Sequence, residues 1–236
     1  MLSRTGRAPD RTLAYGPHAD QIFDVYDPVI PVQGGAPIAV MLHGGFWRPA
    51  FDRLHTRAMT EALRGAHTVV AMEYRRIPGD PDATVEDVRA GLTAVNYLSG
   101  TGRDMVVLGH SAGGHLALWA ASQAYAGIRG VVALAPVADL RLARDLRLGD
   151  DAVADFLGDD RPDLDPMQMP PPRVPIIIVH GTADEVVPIA LAYSYAEVHP
   201  QAHVVALDGV GHFPLIDPKQ PAFDTVVSHL AGMMAV

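Results

Sequence analysis

Residues 105–124 read MVVLGHSAGGHLALWAASQA, and this stretch decides the fold. The apolar run Met105–Leu108 has the length and composition of a buried strand. The run HLALWAASQA from His115 onward is helix-like. Only Gly109-His110-Ser111-Ala112-Gly113-Gly114 separates them. A G-x-S-x-G between a strand and a helix reads as a nucleophile elbow, a strained turn that lifts a serine hydroxyl above the sheet edge. Gly109 and Gly113 allow the close backbone approach, and the helix starting at Ala112 points N–H groups at the reacting centre. The plainer alternative is an ordinary glycine-rich turn.

Outward from the elbow the chain alternates strand and helix. Apolar runs recur at Pro37–Leu42, Thr68–Met72, Gly130–Leu134, Ile176–Val179 and His203–Leu207. Continuous rather than alternating apolarity suits strands covered on both faces of a parallel sheet. Helical stretches fall at Arg53–Arg64, Thr84–Leu98 (with Thr84 as N-cap), Ala112–Tyr125, Pro188–Val198 and Ala222–Met234. Upstream, Arg11–Tyr15 and Gln21–Tyr26 read as two antiparallel strands joined through Gly16-Pro17. The whole is an α/β chain with a doubly wound, mostly parallel sheet of eight strands and helices on both faces. It reads as a single domain over residues 1–236.

One segment breaks the rhythm. Residues 137–175 carry a helical stretch near Leu140–Leu148, the run MQMPPP at 167–172, and a cluster of seven aspartates at 150–165: Asp150, Asp151, Asp155, Asp159, Asp160, Asp163 and Asp165. The excursion is a cap-like pocket wall or a solvated loop. Its aspartates lack the D-x-D-x-D-G order and closing Glu of a calcium loop, so they read as a solvated acidic face.

Composition bounds the chemistry. The 236 residues include 49% hydrophobic and 19% charged side chains, carry a formal net charge of −9 and contain no cysteine. Thiol nucleophiles, thiolate metal sites and disulfides are therefore excluded. The acidic balance argues against a nucleic-acid partner, and no apolar run approaches a membrane span of roughly 18 residues. The polar start MLSRTGRAPDRTLAYG has no apolar signal-peptide core, so a soluble, cytoplasmic protein is expected. Oligomeric state is left open.

A serine nucleophile needs an oxyanion hole, a base and an orienting acid. His43-Gly44-Gly45-Phe46-Trp47 follows the run ending at Leu42 and offers backbone donors: Gly45 and Phe46, with Ala112 as the third. Trp47 either lines the substrate pocket or packs in the core. His212, in Gly209-Val210-Gly211-His212-Phe213, lies just beyond a strand end and is the candidate base. His180 reads as a brace for the acid loop, and His199 and His229 as exposed histidines near helix ends. Asp184, in His180-Gly181-Thr182-Ala183-Asp184, is the candidate acid; it competes with Glu185, Asp139 and Asp217. The order Ser111, Asp184, His212 favours Asp184.

These residues together resemble the α/β-hydrolase family from about Tyr15 onward. HGGFW at 43–47, Glu73-Tyr74-Arg75, GHSAGGHLA at 109–117 and HGTADEVVP at 180–188 are similar to its branch with an HGG-type oxyanion loop. That branch holds hormone-sensitive-lipase-like carboxylesterases, bacterial esterase/lipase proteins and kynurenine formamidases (arylformamidases). HGG-x-W is similar to the formamidase pattern, with Phe46 in place of a third glycine. The resemblance implies a minimal cap and a two-step acyl transfer on a small-molecule ester or amide, without metal or organic cofactor. Rival expectations are a peptidase, a lyase sharing the triad, and a non-catalytic ligand-binding scaffold.

Overall fold

The computed structural model describes residues 6–30, 36–65, 67–98 and 102–235. Eight strands form one sheet: β1 (Arg11–Ala14), β2 (Ile22–Tyr26), β3 (Ile38–Leu42), β4 (Thr68–Met72), β5 (Met105–His110), β6 (Ile128–Leu134), β7 (Ile176–Gly181) and β8 (Ala202–Leu207). Their spatial order is β1-β2-β4-β3-β5-β6-β7-β8. β1 and β2 pair antiparallel with each other, β2 pairs antiparallel with β4, and every other pairing is parallel.

The period-2 geometry of a strand sends neighbours to opposite faces. Ile38, Val40 and Leu42 join the core on one side of the sheet, and Ala39 and Met41 the core on the other. Because both sides are covered, the strands need continuous apolarity, which is why those runs were readable. One face is covered by α2 (Pro81–Asn96), α3 (Ala112–Ser122) and α6 (Ala190–Val198). The opposite face is covered by α1 (Arg57–Leu63) and α7 (Pro221–Met234). Each aliphatic side chain buried this way contributes roughly 1.5–3 kcal/mol.

Between β6 and β7 the excursion folds as α4 (Leu140–Asp145) and α5 (Leu148–Leu157). The expected helix through Leu148 ends early: the chain turns left-handed at Arg147, Gly149, Asp150 and Asp151, with φ of 51–62°. The expected N-cap Thr84 is also corrected. α2 starts at Pro81, capped by the Asp80 carboxylate accepting from Ala83 N, while Thr84 sits inside and donates its hydroxyl to Arg75 O at 2.7 Å. Proline at the first helical position loses no hydrogen bond, so it sets the start.

Asp165 departs from the expected solvated face; it is buried, accepting from Met167 N and the Gln168 amide. His199 is likewise buried rather than exposed, its Nε2 donating to Pro166 O at 2.9 Å.

Candidate active site

Ser111 is the single residue between β5 and α3. Its φ of 57° and ψ of −119° are strained for any residue with a Cβ. The turn exists because its flanks have no side chains. A Cβ on Gly109 would stand 2.1 Å from Gly113 O, and one on Gly113 would stand 2.1 Å from Leu42 O. α3 can therefore lie directly against β5 and β3. The Ser111 amide donates to Leu134 O on β6 at 2.9 Å, fixing the turn to the neighbouring strand.

The loop after β3 lies beside this turn. A Cβ on Gly44 would come within 3.0 Å of Ser111 Cβ. Gly45, Phe46 and Trp47 all have positive φ, at 115°, 51° and 55°. The backbone N–H groups of Gly45, Phe46 and Ala112 donate to no acceptor among the described residues. Donors free of internal partners at a serine turn are what an oxyanion site requires.

Trp47 is buried, stacked on Phe156 of α5 at 4.6 Å between ring centroids and edge-on to His115 at 5.2 Å. Of its two expected placements the structure shows the core one; Phe46 is the half-buried neighbour.

A buried carboxylate holds this loop. Glu73, just past the end of β4, accepts from His43 Nε2 at 2.9 Å, Arg53 N at 3.0 Å, its neighbour Tyr74 N at 3.1 Å, and the Arg76 guanidinium. Burial raises its pKa, but the hydrogen bond and charge of His43, the charge of Arg76 and the Arg53 amide outweigh that and hold it at about 2. The Tyr74 hydroxyl donates to His43 O at 2.6 Å, with its ring stacked on the His43 imidazole. Register explains the meeting: Leu42 on β3 is level with Met72 on β4, so His43 and Glu73 emerge side by side.

His212 and Asp184 come together from the loops after β8 and β7. His212 Nδ1 donates to Asp184 Oδ2 at 2.6 Å. The other Asp184 oxygen accepts from Val186 N at 2.9 Å and Val187 N at 2.8 Å. Burial pushes this carboxyl up, but hydrogen bonds from His180 and His212, the His212 charge and the Val187 amide hold it well below the usual carboxylate range. His180 braces the loop, with Nε2 donating to Val187 O at 2.8 Å. The competing acids stand elsewhere: Asp139 caps α4 and accepts from Ser194, Asp217 follows a 3₁₀ turn at Phe213–Ile216, and Glu185 is exposed.

Sequence reasoning missed several members. His110 Nε2 donates to His212 O at 3.2 Å, and the two rings lie 4.4 Å apart. Burial, then the charges of His212 and His55, push its pKa far down, so it is neutral. Glu73 and Arg76 are further members with no role assignable from the sequence. Their one signal was a carboxylate ending a fully buried strand, which requires partners. Among the described residues no group of three or more His, Asp or Glu is placed to hold a metal ion, and no helix is long and apolar enough to cross a membrane.

A serine on a strand–helix turn, free amides beside it and a buried Asp–His pair at the same sheet edge are the parts of an acyl-transfer site. A family model described as alpha/beta hydrolase fold matches residues 39–165, and the chain belongs to that family. The kynurenine formamidase of Danio rerio is 34% identical over 109 residues, 44% of this chain; the chain spans about a third of that relative's length, 35%. Among solved structures, esterase B from Lactobacillus rhamnosis is 22% identical, with a TM-score of 0.80 over 98% of this chain and 87% of that one. Thermogutta terrifontis esterase 2 phosphonylated by sarin is 19% identical, with a TM-score of 0.76 over 99% and 98%. These likenesses extend the shared fold to both ends of the sheet.

Proposed function

We propose that this chain is a serine hydrolase that cleaves short-chain carboxylic esters or an aryl formamide. The reading is carried by the strained Ser111 turn standing at the same sheet edge as the 2.6 Å His212–Asp184 hydrogen bond. Ser111 Oγ attacks the substrate carbonyl carbon while His212 Nε2 takes the hydroxyl proton. Asp184 keeps the Nδ1 proton in place and stabilises the imidazolium. The N–H groups of Gly45, Phe46 and Ala112 receive the charge developing on the carbonyl oxygen. As the tetrahedral intermediate collapses, His212 returns the proton to the departing alcohol or amine and the acyl group stays on Ser111. His212 then deprotonates a water that attacks this acyl-enzyme, and Ser111 leaves reprotonated. None of these steps calls for a metal or organic cofactor.

The likeness to a kynurenine formamidase supports the formamide option, and the esterases among the structural neighbours support the ester option. Purified protein assayed on p-nitrophenyl acetate, butyrate and decanoate, and on N-formylkynurenine, separates them by kcat/KM. Ser111→Ala is expected to abolish turnover of every accepted substrate and labelling by a fluorophosphonate probe. Equal turnover by S111A and the native chain would remove the mechanism, and ligand binding without labelling would point to a non-catalytic scaffold.

A further inference from the structure

Three consecutive residues of the oxyanion loop grip α5 at both of its ends. The Phe46 ring lies over Gly149, where a Cβ would stand 2.9 Å from three of its ring atoms. Trp47 stacks on Phe156. Arg48 Nη2 reaches Gly149 O at 2.5 Å, Asp150 O at 3.1 Å and the Asp155 carboxylate at 3.4 Å.

The segment being gripped is itself unusual. Arg147, Gly149, Asp150 and Asp151 all lie in the left-handed region, and three of the four are not glycine. L-residues leave that region when nothing holds them there. The pair Arg147–Asp151 closes the corner on its exposed side, with guanidinium and carboxylate 2.6 Å apart. On the inner side the corner is tied by Arg48, donating to two carbonyls that the left-handed turn directs toward it. Phe46 and Leu148 both pack on the core that carries Trp47 and Phe156.

We propose that the Arg147–Asp151 corner is a wall of the acyl pocket, pinned by Arg48 against the Phe46 ring, and that Arg48 and Gly149 are specificity-determining positions restricting the enzyme to small acyl groups. This rests on the hydrolase reading above. The Phe46 N–H faces the substrate carbonyl in that reading, so its side chain is the first to meet whatever the carbonyl carries. Gly149 gives the ring a place to lie, and Arg48 keeps Gly149 there. Releasing the corner frees the ring and lengthens the space; adding a methyl at 149 pushes the ring the other way.

The test measures kcat/KM on p-nitrophenyl acetate, butyrate and decanoate for the native chain, Arg48→Met and Gly149→Ala, with thermal unfolding run on each. A parallel series holds the acetyl group fixed and varies the alcohol from p-nitrophenol to 1-naphthol and 2-naphthol. Arg48→Met is expected to raise the decanoate-to-acetate ratio on the order of tenfold, a typical scale for discrimination by pocket size. Gly149→Ala is expected to lower it, and it reads the same wall with opposite sign should Arg48→Met not fold. A folded Arg48→Met with an unchanged ratio overturns the proposal, as does a shift confined to the alcohol series. A native chain that turns over no ester or formamide and takes no fluorophosphonate fails the hydrolase reading and this one with it. Turnover with an unmoved ratio removes only this one.

Discussion

Replacing Glu73 by Gln tests the electrostatics that hold the oxyanion loop. Glutamine keeps the size of the side chain but turns one acceptor into a donor, facing His43 Nε2, Arg53 N, Tyr74 N and the Arg76 guanidinium. Two routes give the magnitude. The Glu73 pKa falls from 4.5 to about 2 on folding, which through linkage is about 3 kcal/mol of stability. Removing one member of a buried ion pair typically costs about 3–5 kcal/mol, because the partner charge stays buried. The agreement makes about 3 kcal/mol a fair expectation at neutral pH. Since the folded pKa is the depressed one, this stability is present above the unfolded value and is lost as pH falls from about 4.5 toward 2. Gln does not titrate, so the gap between native chain and E73Q at each pH isolates this carboxylate from the other acids. Urea unfolding followed by circular dichroism, in steps from neutral pH downward, should show the gap closing across that window. A gap under about 1 kcal/mol at pH 7, or one indifferent to acidification, would show that the Glu73 charge does not hold the loop.

Asp184→Asn leaves the packing nearly unchanged but removes the charge that fixes the His212 tautomer; kcat on the best substrate should fall on the order of 10⁴-fold, with native-like circular dichroism. Gly113→Ala puts a methyl 2.1 Å from Leu42 O and 2.4 Å from His43 O. Both are backbone atoms, so denaturant unfolding should show a loss above about 4 kcal/mol or no folded protein. Gly232→Ala, on the exposed side of α7, meets nothing within 4 Å, and the same assay should show a gain of about 0.5–1 kcal/mol.

The fold was legible because a parallel sheet covered on both faces writes itself as apolar runs, which β3 to β8 carry; β2 alternates in sequence yet is buried on both faces from Phe23 to Tyr26. The elbow was legible because the turn is built within one hexapeptide, where Gly109 is required by Gly113 four residues on, although Gly113 itself is required by Leu42 on a different strand. Glu73 was quoted as part of a pattern but given no role, since its partners His43, Arg53 and Arg76 meet only through strand register. His199 and Asp165 were misread as solvated for the same reason: the loop that buries each is fixed by tertiary packing. The left-handed corner at 147–151 left almost no trace. Gly149 marks it and Asp150 and Asp151 tolerate it singly, but three left-handed residues in a row and Arg147 before them have no sequence signal, and the contact that holds the corner comes from Arg48 about a hundred residues earlier.

Sheet register turns these distant residues into one site. Leu42 is level with Met72 on one side and Gly109 on the other, so His43, Glu73 and His110 leave the sheet together at the C-terminal ends of β3, β4 and β5. The backbone is strained nearby, at Phe46, Trp47 and Ser111, each costing on the order of 1–3 kcal/mol. Such strain persists only where the surroundings over-determine it. Around Ser111 they are backbone contacts, Gly109 against Gly113 and Gly113 against Leu42. Around Phe46 and Trp47 they are the buried charges of Glu73 and Arg76 on one side and the grip on α5 on the other. The two strained turns are thus held by different physics, and they should fail differently. Acid should loosen the oxyanion loop through Glu73 while the serine turn, whose His110 imidazole is held neutral by burial, keeps its shape until the sheet itself unfolds.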